Sequence, residues 1–157
     1  MAYEQTTPLH TGAHPLTVLI VDDDADIREM AREVLHDASY RTLEAGDGVA
    51  ALDIMQNHRG HLVVLLDILL PQLDGAALLG IAARNHHMAV SNAYVLMTGK
   101  PIVAFPVLRQ LAKQVGALIL PKPFDRDALV MAVRRAAASL SVQQPTPPPA
   151  QQSQVGK

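Results

Sequence analysis

The feature that most constrains this chain is a series of short apolar runs, separated by segments of helical periodicity and mostly ending in charged or hydroxyl residues. LTVLIV, from Leu16 to Val21, is a β-branched run that ends in acid, as a buried parallel strand does. Tyr40 to Glu44, His61 to Leu66, Ala93 to Met97 and Leu118 to Leu120 read as four further strands. Between them, apolar residues recur at helical spacing, as in Ile27, Met30, Ala31, Val34 and Leu35, or Leu129, Ala132, Val133 and Ala136. Five strands alternating with five helices imply a parallel sheet covered on both faces. A chain of 157 residues is short for a closed eightfold barrel. The expected fold is therefore a flavodoxin-like (βα)5 doubly wound sandwich. Its sheet order should be 2-1-3-4-5, with the ligand crevice at the carboxyl ends of strands one and three.

Composition narrows the function classes. Nearly half of the residues are apolar and the formal charge is −2, which leaves no general electrostatic case for nucleic acid or an anionic membrane. There is no cysteine, so disulfides, thiolate catalysis and cysteine-bound zinc are excluded. The opening MAYEQTTPLHTGAHP has neither a basic start nor an apolar run, and no stretch is apolar for long enough to span a bilayer. The expectation is a single compact domain over residues 16–141, cytoplasmic, with disordered polar ends at 1–15 and 142–157, the latter rich in Gln and Pro.

The strand ends carry the chemistry. The first strand is followed by Asp22, Asp23 and Asp24, the third by Asp67, the fourth by Thr98 and the fifth by Lys122; only the second offers nothing. In a parallel sheet these positions share one edge. One of the first three acids, Asp24, suits the N-cap of the following helix, and Asp125 or Asp127 suits the cap of the last one. Two carboxylates near Asp67 remain to be neutralised, since crowded acids repel. Mg²⁺, a hard cation that takes carboxylate and carbonyl oxygens and keeps room for phosphate, meets that need. Lysine and a hydroxyl opposite the acids suit a phosphoryl group, so the ensemble reads as phosphoryl transfer to a carboxylate. Asp67 has no ordinary structural role at the end of so apolar a run. His58, His61, His86 and His87 lack partners at a zinc-like spacing and read as solvated loop residues. Lys113, Arg134 and Arg135 read as solvated helix faces.

The pieces VLIVDDD, LLDILLPQLDG, VLMTG and LPKPF, in this order, resemble the response-regulator receivers, including the single-domain, chemotaxis-type (CheY-like) members. The resemblance covers about residues 16 to 140. It implies a two-component or phosphorelay protein in which Asp67 accepts a phosphoryl group from phosphohistidine. It further implies that Asp22, Asp23, Asp67 and the backbone carbonyl of Leu69 hold Mg²⁺, while Thr98 and Lys122 contact the phosphoryl oxygens. The Lys122–Pro123 bond resembles the family's cis peptide. The implied partners are a histidine kinase or histidine phosphotransfer protein and a downstream protein target. Output would be protein contact or onward phosphotransfer, without enzymatic turnover.

Four positions depart from the family's habits, one of them Gly99, which stands where Ala is usual and only makes room. Ile119 stands where an aromatic ring is usual, and Leu69 and Lys100 replace the polar and acidic residues common at their places. None of these removes a phosphorylation residue. A metal-dependent phosphatase with an aspartyl nucleophile would need a second Asp where Leu69 stands. A pseudo-receiver would normally have lost an acid or the lysine, and all are present.

Overall fold

Five buried β-branched and aliphatic residues in a row make β1 (Thr17–Val21), and the same logic makes β3 (Leu62–Asp67) and β4 (Asn92–Thr98) buried along their whole lengths. The computed structural model describes residues 16–142. In chain order it adds α1 (Ala25–Asp37), β2 (Arg41–Ala45), α2 (Gly48–Asn57), α3 (Gly75–Arg84), α4 (His86–Ser91), α5 (Pro106–Val115), β5 (Leu118–Pro121) and α6 (Arg126–Val142). A 3₁₀ turn, Ile102–Ala104, precedes α5. The strands form one five-stranded sheet in the order β2-β1-β3-β4-β5, and every pairing is parallel. The expected topology is the observed one.

Alternate strand residues feed two apolar layers, because strand side chains change face at every step. Leu19, Val21, Val64, Leu66 and Leu96 pack under α2, α3 and α5, against residues such as Leu79 and Leu108. Val18, Ile20, Val63, Leu65, Val95 and Met97 pack under α1 and α6, against residues such as Leu35 and Leu129. The edge strand β2 is mostly exposed, in keeping with Arg41 and Glu44 in its sequence.

The helices start at capping acids. Asp24, Asp47, Asp74 and Asp125 accept hydrogen bonds from the free amides of α1, α2, α3 and α6, each cap worth about 1 kcal/mol. Of the two candidates at the last helix, Asp125 is the cap, accepting from Ala128 N at 2.7 Å. Helix α5 begins at Pro106 and is capped after Val115 by Gly116, which adopts φ 68°.

Three expectations are corrected. His86 and His87 do not lie in a loop; they open the short helix α4, so six α-helices are present among the described residues rather than five. The Asn85 side chain caps α4 by accepting from Met88 N at 3.1 Å, and Met88 is 2% exposed. The buried Tyr94 hydroxyl donates to the Met88 carbonyl at 2.9 Å, tying α4 to β4. Burial pushes the Tyr94 phenol up to about 12. His61 is also not merely solvated, since its Nδ1 lies 2.8 Å from the Ser91 carbonyl. Helix α6 runs to Val142, the first residue of the segment read as tail. Otherwise the expectations for 1–15 and 143–157 fall outside the described residues.

Candidate functional site

The register brings the strand ends level: Val21 pairs with Leu66, Asp67 with Met97 and Thr98 with Pro121. The residues that follow therefore meet at one edge, as the parallel topology requires. One carboxylate oxygen from each of Asp22, Asp23 and Asp67 lies within 4.8 Å of the others. Asp24 turns away and caps α1.

Asp22 and Asp67 are buried, at 0% and 7% exposure, whereas Asp23 is exposed. Every polar group of Asp22 has a partner. Its N–H donates to the Ala45 carbonyl at 3.2 Å, and its carbonyl accepts from Arg28 Nη1 at 2.8 Å. Oδ1 accepts from Asp24 N at 2.9 Å and Oδ2 from Lys122 Nζ at 2.8 Å. Asp67 Oδ1 accepts from Leu69 N at 3.0 Å, and Oδ2 accepts from Lys122 Nζ at 3.2 Å. The ammonium thus bridges the two buried carboxylates, which is what buried like charges demand.

The electrostatics follow from this packing. Burial raises the Asp67 carboxyl above its ordinary value of 3.8, and the neighbouring Asp22 adds to the rise. The Leu69 amide and the Lys122 ammonium oppose it without reversing it. Desolvation pulls Lys122 down, but its contacts with Asp22 and Asp67 outweigh that and leave it above 10.5. Lys122 is held by its own backbone, whose N–H donates to the Thr98 carbonyl at 2.7 Å, and the Lys122–Pro123 peptide is cis.

Thr98 is 3% exposed at the end of β4. Its hydroxyl donates to the Lys100 carbonyl and accepts from the Lys100 amide, so both of its contacts lie within its own loop. The structure brings together Asp22, Asp23, Asp67 and Lys122, while the Thr98 hydroxyl stands beside them engaged with Lys100. The Leu69 side chain is 64% exposed at the rim. An all-oxygen donor set of three clustered carboxylates fits a hard divalent cation such as Mg²⁺.

Two features escaped the sequence reading. The edge strand β2 does contribute, through Glu44, whose Oε1 lies 3.4 Å from Arg28 Nε. Gly75 is required because a Cβ there would stand 2.5 Å from the Asp67 carbonyl oxygen, so only glycine lets α3 abut the end of β3. The Asp74-Gly75 pair was a visible turn signal for it; nothing marked Arg28. Beside Lys122, an apolar groove of about 330 Å³ is lined by Ile27, Met30, Pro123 and Phe124.

Fold and site together define a doubly wound parallel-sheet protein with a carboxylate–lysine centre at its topological switch point. Residues 18–134 match the response regulator receiver domain family. The chain is 34% identical over 122 residues to sporulation initiation phosphotransferase F of Bacillus subtilis, covering 75% of this chain and 90% of that one. It is 34% identical over 121 residues to response regulator MprA of a Mycobacterium species, spanning 76% of this chain and half of that relative. The solved chemotaxis protein CheY4 of Vibrio cholerae superposes with a TM-score of 0.66 at 28% identity, over 78% of this chain and 99% of that one. The chain belongs to the response-regulator receiver family, a family of two-component signalling domains. No helix among the described residues is long and apolar enough to cross a membrane.

Proposed function

We propose that this protein is a phosphoacceptor response regulator that takes a phosphoryl group from a phosphohistidine onto Asp67. The observation that carries this reading is the convergence of Asp22, Asp23 and Asp67 within 4.8 Å, with Lys122 bridging the two buried members. In the transfer, an Asp67 oxygen forms a bond to phosphorus as the bond from phosphorus to the donor imidazole nitrogen breaks. The imidazole leaves with the electron pair and is protonated from solvent. Burial raises Asp67, while the Leu69 amide and the Lys122 ammonium favour its carboxylate form, the form that acts as the nucleophile.

Asp22, Asp23, Asp67 and the Leu69 carbonyl would hold Mg²⁺, which, when bound, neutralises charge on the phosphoryl oxygens. Lys122 is already aimed at the Asp67 oxygen and pairs with a phosphoryl oxygen placed there. The Thr98 hydroxyl must leave the Lys100 carbonyl to donate to another. The groove of Ile27, Met30, Pro123 and Phe124 opens beside Lys122 and offers a protein donor an apolar footing. The donor is a histidine kinase or a histidine phosphotransfer protein. Output passes to a downstream protein by contact, or the phosphoryl group moves onward, without nucleic acid or membrane as ligand. We assign this role to residues 16–141 and place it in the cytoplasm. Incubation with acetyl phosphate should add one phosphate when Mg²⁺ is present and none with EDTA. Labelling that ignores EDTA would contradict the proposal.

A further inference from the structure

Asp22 sits at the bend between β1 and α1, where a peptide can rotate unless something holds it. Of its four contacts, the one to Lys122 lies on the carboxylate oxygen that faces Asp67. A bound cation would compete for that oxygen. The two backbone contacts use neither carboxylate oxygen: Asp22 N to Ala45 O at 3.2 Å, and Arg28 Nη1 to Asp22 O at 2.8 Å. Only the second depends on a side chain.

That side chain is itself braced. Arg28 is 22% exposed, and its Nε faces Glu44 Oε1 at 3.4 Å across from β2. The other Glu44 oxygen is 3.7 Å from Arg32 Nε. A guanidinium is a rigid planar fork, so one nitrogen held at Glu44 aims another at the Asp22 carbonyl; a lysine carries its donors on one nitrogen at the end of a flexible stem and does not fix that direction. A bare cation near a divalent-ion site would also repel the ion, and Glu44 cancels that charge.

Resting on the Mg²⁺-dependent phosphoacceptor reading above, we infer that Arg28, braced by Glu44, is a positioning residue that holds the Asp22 backbone so that its carboxylate faces the divalent cation. Neither residue touches the reacting atoms. Outer contacts of this kind shift metal affinity by about 10- to 100-fold.

The test is a Mg²⁺ titration of the full chain, followed by amide NMR shifts, on wild type, Arg28→Met, Arg28→Lys, Glu44→Gln and the Met/Gln double variant. Arg28→Met should raise the Mg²⁺ dissociation constant about tenfold. Arg28→Lys, which keeps the charge, should lose affinity as well. The double variant should be no worse than Arg28→Met, because both residues act through one contact. Saturating Mg²⁺ should restore phosphorylation by acetyl phosphate in every variant, and amide spectra taken in EDTA should show each variant folded before Mg²⁺ is added, because a cation that binds the native state also rescues an unstable fold. Unchanged or tighter binding by Arg28→Met, full affinity in Arg28→Lys, or wild-type affinity in the double variant would overturn the inference, as would a rate that Mg²⁺ cannot restore. Should Arg28→Met fail to fold, the half-exposed Glu44→Gln decides, with wild-type affinity counting against the inference. Absence of Mg²⁺ binding by wild type would instead strike the phosphoacceptor reading itself.

Discussion

The two sides of the crevice are built differently. On the β1–β3 side, Asp22 and Asp67 are buried, and their carboxylates are held by Lys122 and by backbone amides. Among the described residues no buried side-chain nitrogen or oxygen lacks a hydrogen bond. On the other side, the stretch after β4 runs through an exposed Gly99 and Lys100, a single 3₁₀ turn and then α5, with Val103 67% and Val107 70% exposed. Its one buried hydroxyl, Thr98, bonds only to Lys100, two residues away. The first side is held from several strands at once. The second rests on local contacts that a phosphoryl oxygen can replace, and it is where a change of state can begin.

The strongest way to break this contrast is to remove the bridge on the rigid side. Lys122→Met should leave two buried carboxylates unpaired and destabilise the fold by about 3–5 kcal/mol in EDTA. Because a cation that binds the native acids stabilises them by mass action, Mg²⁺ should recover part of that loss. Urea unfolding with and without Mg²⁺ measures both effects; a loss below about 1 kcal/mol would mean that the acids do not depend on the lysine.

A second test concerns how long the phosphoryl group lasts. The family resemblance implies that Leu69 and Lys100 flank the line along which water would attack, and neither side chain offers a carboxylate or amide to orient it. Leu69→Asn with Lys100→Glu should speed loss of phosphate about tenfold, roughly 1.4 kcal/mol of barrier. Decay of the purified phosphoprotein at constant Mg²⁺ is the readout, and an unchanged or slower rate would refute the role of these side chains.

The raised Asp67 carboxyl gives a smaller effect with a definite sign. The folded protein holds this proton to higher pH than the unfolded chain, whose value is 3.8. The stability this group contributes is therefore complete below that value and is lost as pH rises through the folded one. Asp67→Asn removes the resulting deficit at neutral pH, and should stabilise the protein there. The gain should shrink on acidification. Denaturant midpoints from acid to neutral pH check this, and a gain independent of pH would contradict it.

The least change is expected at Ile119, an aliphatic residue 37% exposed on β5. Without an aromatic ring to reorient, amide shifts on adding beryllofluoride should concentrate at Thr98 to Phe105 rather than on β5 and α6. Shifts centred on Ile119 and α6 would reverse the comparison.

Much of the rigid side is legible in the sequence. Runs such as LVVLL could only be buried strands, and an aspartate closing one of them had no other use. Strand order followed from the alternation, and the order put Asp22, Asp23, Asp67 and Lys122 on one edge. The rest depended on contacts that no periodicity encodes. Arg28 looks like any polar helix residue until β2 is laid beside β1 and brings Glu44 to it. Helix α4 is anchored by little more than Met88 and capped by an asparagine that reads equally well as a loop. Asp125 and Asp127 were equivalent caps on paper, and the Thr98 side chain gave no sign that it turns toward Lys100.

The central claim is that Asp67 is the phosphoacceptor, and one measurement addresses it most directly. Wild type and Asp67→Asn are incubated with acetyl phosphate and Mg²⁺, and intact mass is read before the acyl phosphate hydrolyses. The account predicts one added phosphate on the wild type, lost in EDTA, and none on the variant while its amide spectrum remains folded. Equal labelling of Asp67→Asn would contradict it.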